Sequence, residues 1–115
     1  MARILIVEDH TGLAVALTAF LQCSGHEAHA ITGRDAALTA AQRLSPDVVI
    51  SDIRLPSVDG HAMASALRRR YGEKLRIVAL TADDDSGALA QMELAGFDTI
   101  LIKPASIHDL LEAIR

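Results

Sequence analysis

Four stretches of the chain are apolar almost without interruption and rich in β-branched residues: RILIV at 3–7, VVIS at 48–51, RIVAL at 76–80 and TILI at 99–102. Runs of this length without polar alternation predict strands covered on both faces, as in a parallel sheet. EAHAI at 27–31 is a weaker strand. Between the strands the apolar positions change to a helical spacing. Leu13, Leu17, Phe20 and Leu21 lead to a stop at Gly25, and Ala37, Leu38, Ala41 and Leu44 to a stop before Pro46, both ordinary helix terminators. Residues 61–70, 86–95 and 106–115 predict three further helices, with Gly96 closing the second of them. Five strands and five helices in strict alternation, joined by right-handed crossovers, predict an α/β fold, a doubly wound three-layer sandwich. No repeat, low-complexity tract or linker interrupts the pattern, and 115 residues suit one domain over 1–115.

Composition adds exclusions. Half of the residues are apolar but the aromatics are only Phe20, Phe97 and Tyr71, so the interior is built from Ala, Leu, Ile and Val. A formal net charge of −4 offers no broad basic field, and stacking platforms are scarce; direct nucleic-acid binding is therefore not expected. Cys23 is the single cysteine. It forms no intrachain disulfide and reads as a small core residue rather than a redox sensor. No Cys/His spacing resembles a zinc site. ILIV is too short for a secretion signal or a membrane span, and Glu8-Asp9 follow at once, so a soluble, cytoplasmic protein without membrane partner is expected.

Ligands of open α/β sheets sit beyond the carboxyl ends of the strands, where the strand order reverses. Glu8 and Asp9 follow the first strand, Asp52 the third, Thr81-Ala82 the fourth and Lys103-Pro104 the fifth. Three carboxylates, a hydroxyl and an ammonium are thus expected to converge on one edge. Crowded carboxylates raise one another's pKa or demand a cation, and Mg²⁺ suits one or two carboxylates plus waters and a phosphate. Lys103 offers a positive charge and Thr81 a hydrogen bond to an incoming phosphoryl oxygen. With that charge neutralised, Asp52 can act as nucleophile toward phosphorus and form an aspartyl phosphate. Pro56 and Gly60 shape the loop that returns the chain into a helix.

These motifs, in this order over essentially the whole chain, resemble the response-regulator receiver domain of two-component signalling. Glu8-Asp9 is similar to its acidic pair, Asp52 with Pro56 and Gly60 to its phosphoacceptor loop, Thr81-Ala82 to its switch hydroxyl and small neighbour, and Lys103-Pro104 to its lysine before a cis peptide bond. The resemblance implies a flavodoxin-like five-stranded parallel sheet of order 2-1-3-4-5, an order for which a chemotaxis member of the family is a standard example. It implies Mg²⁺ bound directly by Asp9 and Asp52, through water by Glu8, and by the backbone carbonyl of Arg54. It also implies a sensor histidine kinase or histidine phosphotransfer protein as donor, and a domain that promotes its own phosphorylation and dephosphorylation without being an enzyme in the ordinary sense. Thr81 would then move toward the phosphoryl group as a charge-driven population shift. The downstream effector is not identified, and a phosphorylation-dependent homodimer is left open.

Ile100 departs from the family pattern, which commonly has Tyr or Phe three residues before the lysine. Ala113 stands near a position where winged-helix regulators often carry an Arg within a charged dimer face, which weakens that mode of dimerisation. Arg54 and Asp83 flank the expected pocket mouth, either as a gate or as two independent solvated side chains. Asp83-Asp84-Asp85 reads as a favourable helix start, Arg68-Arg69-Arg70 as a solvated helix end with an acidic-partner patch as the alternative, and His10 as a poor transition-metal candidate. The rival function is a phosphorylation-independent, receiver-like protein-binding scaffold. A haloacid-dehalogenase-type phosphatase wants a second Asp where Arg54 stands. A flavodoxin-like flavin binder wants a phosphate cradle where Glu8-Asp9 would repel phosphate.

Overall fold

In the computed structural model, which describes residues 1–53, 58–82 and 86–115 with the side chains at 58, 59 and 86 set aside, strands and helices alternate without exception. The strands are β1 (Arg3–Val7), β2 (Glu27–Ile31), β3 (Val48–Ile53), β4 (Arg76–Thr81) and β5 (Thr99–Ile102). The helices are α1 (Thr11–Cys23), α2 (Arg34–Leu44), α3 (Val58–Tyr71), α4 (Ser86–Ala95) and α5 (Ile107–Ala113). All strand pairs are parallel and the order is β2-β1-β3-β4-β5, so the expected flavodoxin-like sandwich is observed.

Both faces of the sheet are covered, and the strands divide their side chains between two cores by simple alternation. Leu5, Val49, Ile77 and Ala79 join Ala37, Ala41, Ala64, Leu67 and Met92 beneath α2, α3 and α4. Ile4, Ile6, Val48, Ile50 and Val78 join Leu21 of α1 and Leu110 and Ala113 of α5 on the opposite side. The scarcity of aromatics is matched by fully buried alanines at 37, 41 and 64, whose small side chains let helices lie close to the sheet. Each large aliphatic buried here contributes about 1.5–3 kcal/mol relative to exposure.

Several details depart from expectation. β3 runs to Ile53 and β4 to Thr81, because their ladder continues through Asp52↔Leu80 and Ile53↔Thr81; Asp52 therefore lies inside the strand end rather than after it. α3 starts at Val58, so Gly60 lies in its first turn. Glycine costs a helix only about 1 kcal/mol, which the burial of Met63, Ala64 and Leu67 outweighs. Cys23 is exposed at the end of α1, not in the core, because the buried stripe of that helix passes through Ala14 and Leu21. Ala113 packs into the α1–α5 core at 7% exposure; it faces the sheet, so its identity does not bear on a charged dimer face in the way expected. Pro56, the Arg54–Asp83 gate and the Asp83-Asp84-Asp85 helix start lie outside the described residues.

The arginine run also divides. Arg68, with a side chain 20% exposed, is no solvated helix end. It donates to the carbonyls of Gly72 and Leu75 at 2.7 Å each and of Gly96 at 2.8 Å, and pairs with Asp98. Asp98 Oδ2 in turn accepts from the amide of Ile77 at 2.8 Å. Gly96 closes α4 at φ +118°, a left-handed conformation, and a Cβ there would lie 3.2 Å from Arg68 Cβ. One guanidinium thus joins the ends of α3 and α4 to the starts of β4 and β5. Arg68→Ala is expected to lower unfolding free energy by about 2–3 kcal/mol, since it strips a charged donor from several partly buried acceptors. Arg68→Lys should recover only part of this, lacking the planar fork. Urea unfolding of the three proteins checks it.

Candidate functional site

Strand parity decides which reactive side chains meet. Ile4 and Ile6 of β1 face the α1–α5 side, and the next position of that parity is Glu8. Val48 and Ile50 of β3 face the same side, and two residues beyond Ile50 comes Asp52. Leu101 of β5 packs there too, and two residues on is Lys103. The register Val7↔Ser51, carried one residue further, sets Glu8 beside Asp52.

The side chains close this corner. Lys103 Nζ lies 2.5 Å from Asp52 Oδ1, and the Asp52 side chain is only 3% exposed against 34% for Lys103. Glu8 is 2% exposed, and its Oε1 accepts from the His10 amide at 2.9 Å. The amide of Lys103 donates to the Thr81 carbonyl at 2.7 Å, which ties the end of β5 to the end of β4. A cis peptide bond joins Lys103 to Pro104, as the resemblance implies. Thr81, 1% exposed, pairs with Ile53 in the ladder and so sits one step diagonally from Asp52.

Burial pushes the Glu8 carboxyl above the ordinary glutamate value. The hydrogen bond it shares with Asp52 and the negative charge of Asp52 push the same way, while the His10 amide and Lys103 pull it down. One ammonium facing two buried carboxylates leaves negative charge to be compensated by a proton or a cation. An all-oxygen donor set with a negative surplus fits a hard divalent ion.

Asp9 is exposed, at the bend that follows β1. Among the described residues no group of three or more His, Cys, Asp or Glu forms a metal-holding cluster. The Arg54 carbonyl lies outside the described residues. His10, read from the sequence only as a poor metal candidate, has a structural role that the sequence did not reveal: its Nδ1 caps α1 by accepting from the Leu13 amide at 3.1 Å while its own amide donates to Glu8. Its position immediately before the first helical residue was the available signal. Ile100 is half-buried against the α2–α4 core, on the opposite parity from Lys103.

A doubly wound sheet carrying an acid–lysine corner at the carboxyl ends of its central strands defines the class of protein. The chain belongs to the response regulator receiver domain family, whose model matches residues 4–115, and such domains serve two-component signal transduction. It is 33% identical over 113 residues to Response regulator protein FleR of Pseudomonas aeruginosa, covering 98% of this chain and 24% of FleR. It is 34% identical over 113 residues to DNA-binding response regulator MtrA of Mycobacterium tuberculosis, covering 98% of this chain and 49% of MtrA. The chain therefore spans half or less of these relatives. Among solved structures, chemotaxis protein CheY4 of Vibrio cholerae superposes with a TM-score of 0.88 at 28% identity, covering 99% of this chain and 96% of that one. The BeF3-activated receiver domain of Klebsiella pneumoniae RstA gives 0.87 at 26%, covering 98% and 95%.

A carboxyl whose folded pKa is raised binds more protons in the native than in the unfolded chain just above the ordinary glutamate value, so stability falls as pH rises through that window. Glu8→Gln keeps a hydrogen-bonding group but removes the titration. In Mg²⁺-free buffer it is expected to melt above wild type at neutral pH, with the gap closing below about pH 4. Thermal melts over a pH series test this; a gap independent of pH would contradict it.

Proposed function

We propose that the chain is a phosphorylation-operated switch in which Asp52 is the phosphoacceptor. An Asp52 carboxylate oxygen attacks the phosphorus of a phosphohistidine on a sensor histidine kinase or histidine phosphotransfer protein. The new O–P bond forms as the N–P bond breaks, and the imidazole nitrogen leaves with the electron pair. Water attack on the acyl phosphate later releases inorganic phosphate and restores the carboxylate. The reading rests on the Lys103 ammonium held 2.5 Å from a nearly buried Asp52 carboxylate, a charge placed where phosphoryl oxygens arrive.

Mg²⁺ would be held directly by Asp9 and Asp52, through water by Glu8, and by the carbonyl of Arg54, and when bound supplies the positive charge that lets an anionic nucleophile approach an anionic phosphoryl group. Lys103 exchanges its contact with the free carboxylate for one with the phosphoryl group, and the Thr81 hydroxyl supplies a neutral donor at the same place. Because Thr81 belongs to the α2–α4 parity, its movement disturbs that side of the sheet first. Ile100, apolar and half-buried there, offers no aromatic or hydroxyl to swing. The switch would act through repacking around the end of β4. Beside Lys103 an apolar groove of about 600 Å³ runs between α1 and α5, lined by Leu13, Leu17, Phe20, Pro104, Ile107 and Leu110. That surface supports docking of a helix carrying the donor histidine. Among the described residues no helix is long and apolar enough to cross a membrane.

Incubation with Mg²⁺ and acetyl phosphate, read by intact mass, is expected to add one phosphoryl group to wild type and none to Asp52→Asn. Chelation of Mg²⁺ should abolish the gain, and Lys103→Ala should slow it by about 10²-fold or more, as loss of one charge-stabilising donor does elsewhere. A gain in both proteins would move the acceptor away from Asp52. A gain in neither would favour the phosphorylation-independent protein-binding scaffold.

A further inference from the structure

With Arg68 drawn inward, the other two arginines of the run are left with a different role. Arg69 and Arg70 are exposed and make no ion pair among the described residues. They form the α3 wall of a groove of about 540 Å³ between α2 and α3. Thr39 and Gln42 of α2 form the facing wall, and Leu38, Ala66 and Tyr71 supply an apolar floor. Among the described residues no acidic residue lines this groove. Beyond the lining, the exposed Arg43 lies one turn after Thr39 on α2, and the exposed Asp35, paired with Arg34, one turn before it. In a chain of formal net charge −4, the described lining of the groove itself carries positive charge from Arg69 and Arg70.

Two further observations point to a ligand. The Arg70 guanidinium lies 5.7 Å from the centroid of the Tyr71 ring, so part of its side-chain freedom is already restricted and less is lost on capture of an anion. Tyr71, which lines the groove, has a buried hydroxyl that makes no hydrogen bond among the described residues, a polar group desolvated without compensation.

We propose that the α2–α3 groove docks an acidic amphipathic helix of a partner protein. The apolar edge of such a helix covers Leu38, Ala66 and Tyr71, and its carboxylates meet Arg69, Arg70 and Arg43, where guanidinium forks suit carboxylate geometry. A nucleic acid is a poorer match, because a few cations around an apolar floor neutralise few phosphates. The groove lies at the last turn of α3, which leads to the start of β4, and so at the opposite edge of the sheet from Asp52. It does not rest on the phosphotransfer reading, and changes in it should leave phosphorylation by acetyl phosphate intact.

The probe is a short fluorescein-labelled helical peptide with Leu on one face and Glu on its flanks, titrated by anisotropy beside a Lys-flanked control. The acidic peptide is expected to bind and the basic one not. Affinity should fall with added salt and drop about tenfold or more in Arg69→Glu/Arg70→Glu. Thr39→Glu/Gln42→Glu, which reverses the opposite wall, should weaken binding similarly, and circular dichroism with phosphorylation by acetyl phosphate verifies that both variants are folded. Equal binding of the two peptides, or insensitivity to both variants, overturns the proposal. So does equally tight competition by a single-stranded oligonucleotide, which would make the groove a general polyanion patch. Salt-sensitive self-association abolished by the arginine reversal, without peptide binding, would overturn it in favour of a second copy of the chain.

Discussion

The structure depends on an imbalance of charge at the carboxyl ends of β1, β3 and β5. Two carboxylates from separate strands, Glu8 and Asp52, are buried against one ammonium from a third. Ionised together without further compensation they would repel strongly, and Glu8 answers by holding its proton more tightly. The arrangement favours whatever brings compensating positive charge.

The rest of the sheet is organised to hold that corner still. Val48–Ile53 is apolar through Ile50, with both faces covered, so Asp52 is presented from a rigid strand rather than from a loop. The Lys103 amide is anchored to Thr81, and His10 joins the start of α1 to the Glu8 carboxyl. At the far edge, Arg68 performs the corresponding task for the ends of α3 and α4. Both ends of the strands are thus braced, the acid–lysine corner at one and the Arg68 contacts at the other, and the groove beside Arg69 and Arg70 lies at the Arg68 end.

Much of the architecture was legible along the chain. The β-branched runs at 3–7 and 99–102 became strands with those bounds, and Gly25, Pro46 and Gly96 marked helix ends, because burial on both faces and backbone stereochemistry act locally and leave a local signature. Glu8, Asp52 and Lys103 were also legible as neighbours, since each follows a strand and the topology of an alternating α/β chain brings strand ends together. Order 2-1-3-4-5 came from resemblance rather than from the apolar pattern, which does not say which strands pair.

What the residues could not disclose was orientation. Nothing in Glu8-Asp9 says that Glu8 is buried and Asp9 exposed; that is decided by how the chain leaves β1 once both faces of the strand are covered by different helices. The run Arg68-Arg69-Arg70 looks uniform, yet among the described residues Arg68 alone meets the carbonyls of Gly72, Leu75 and Gly96, which are brought together only where α3 and α4 end beside the starts of β4 and β5. Cys23 and Ala113 exchanged their expected surroundings for the same reason. Sequence determined which elements form and where reactive groups follow them, because those depend on neighbours along the chain. Tertiary structure alone decided which side chains face one another, because a rotation of about 100° per helical residue or 180° per strand residue changes the partner completely.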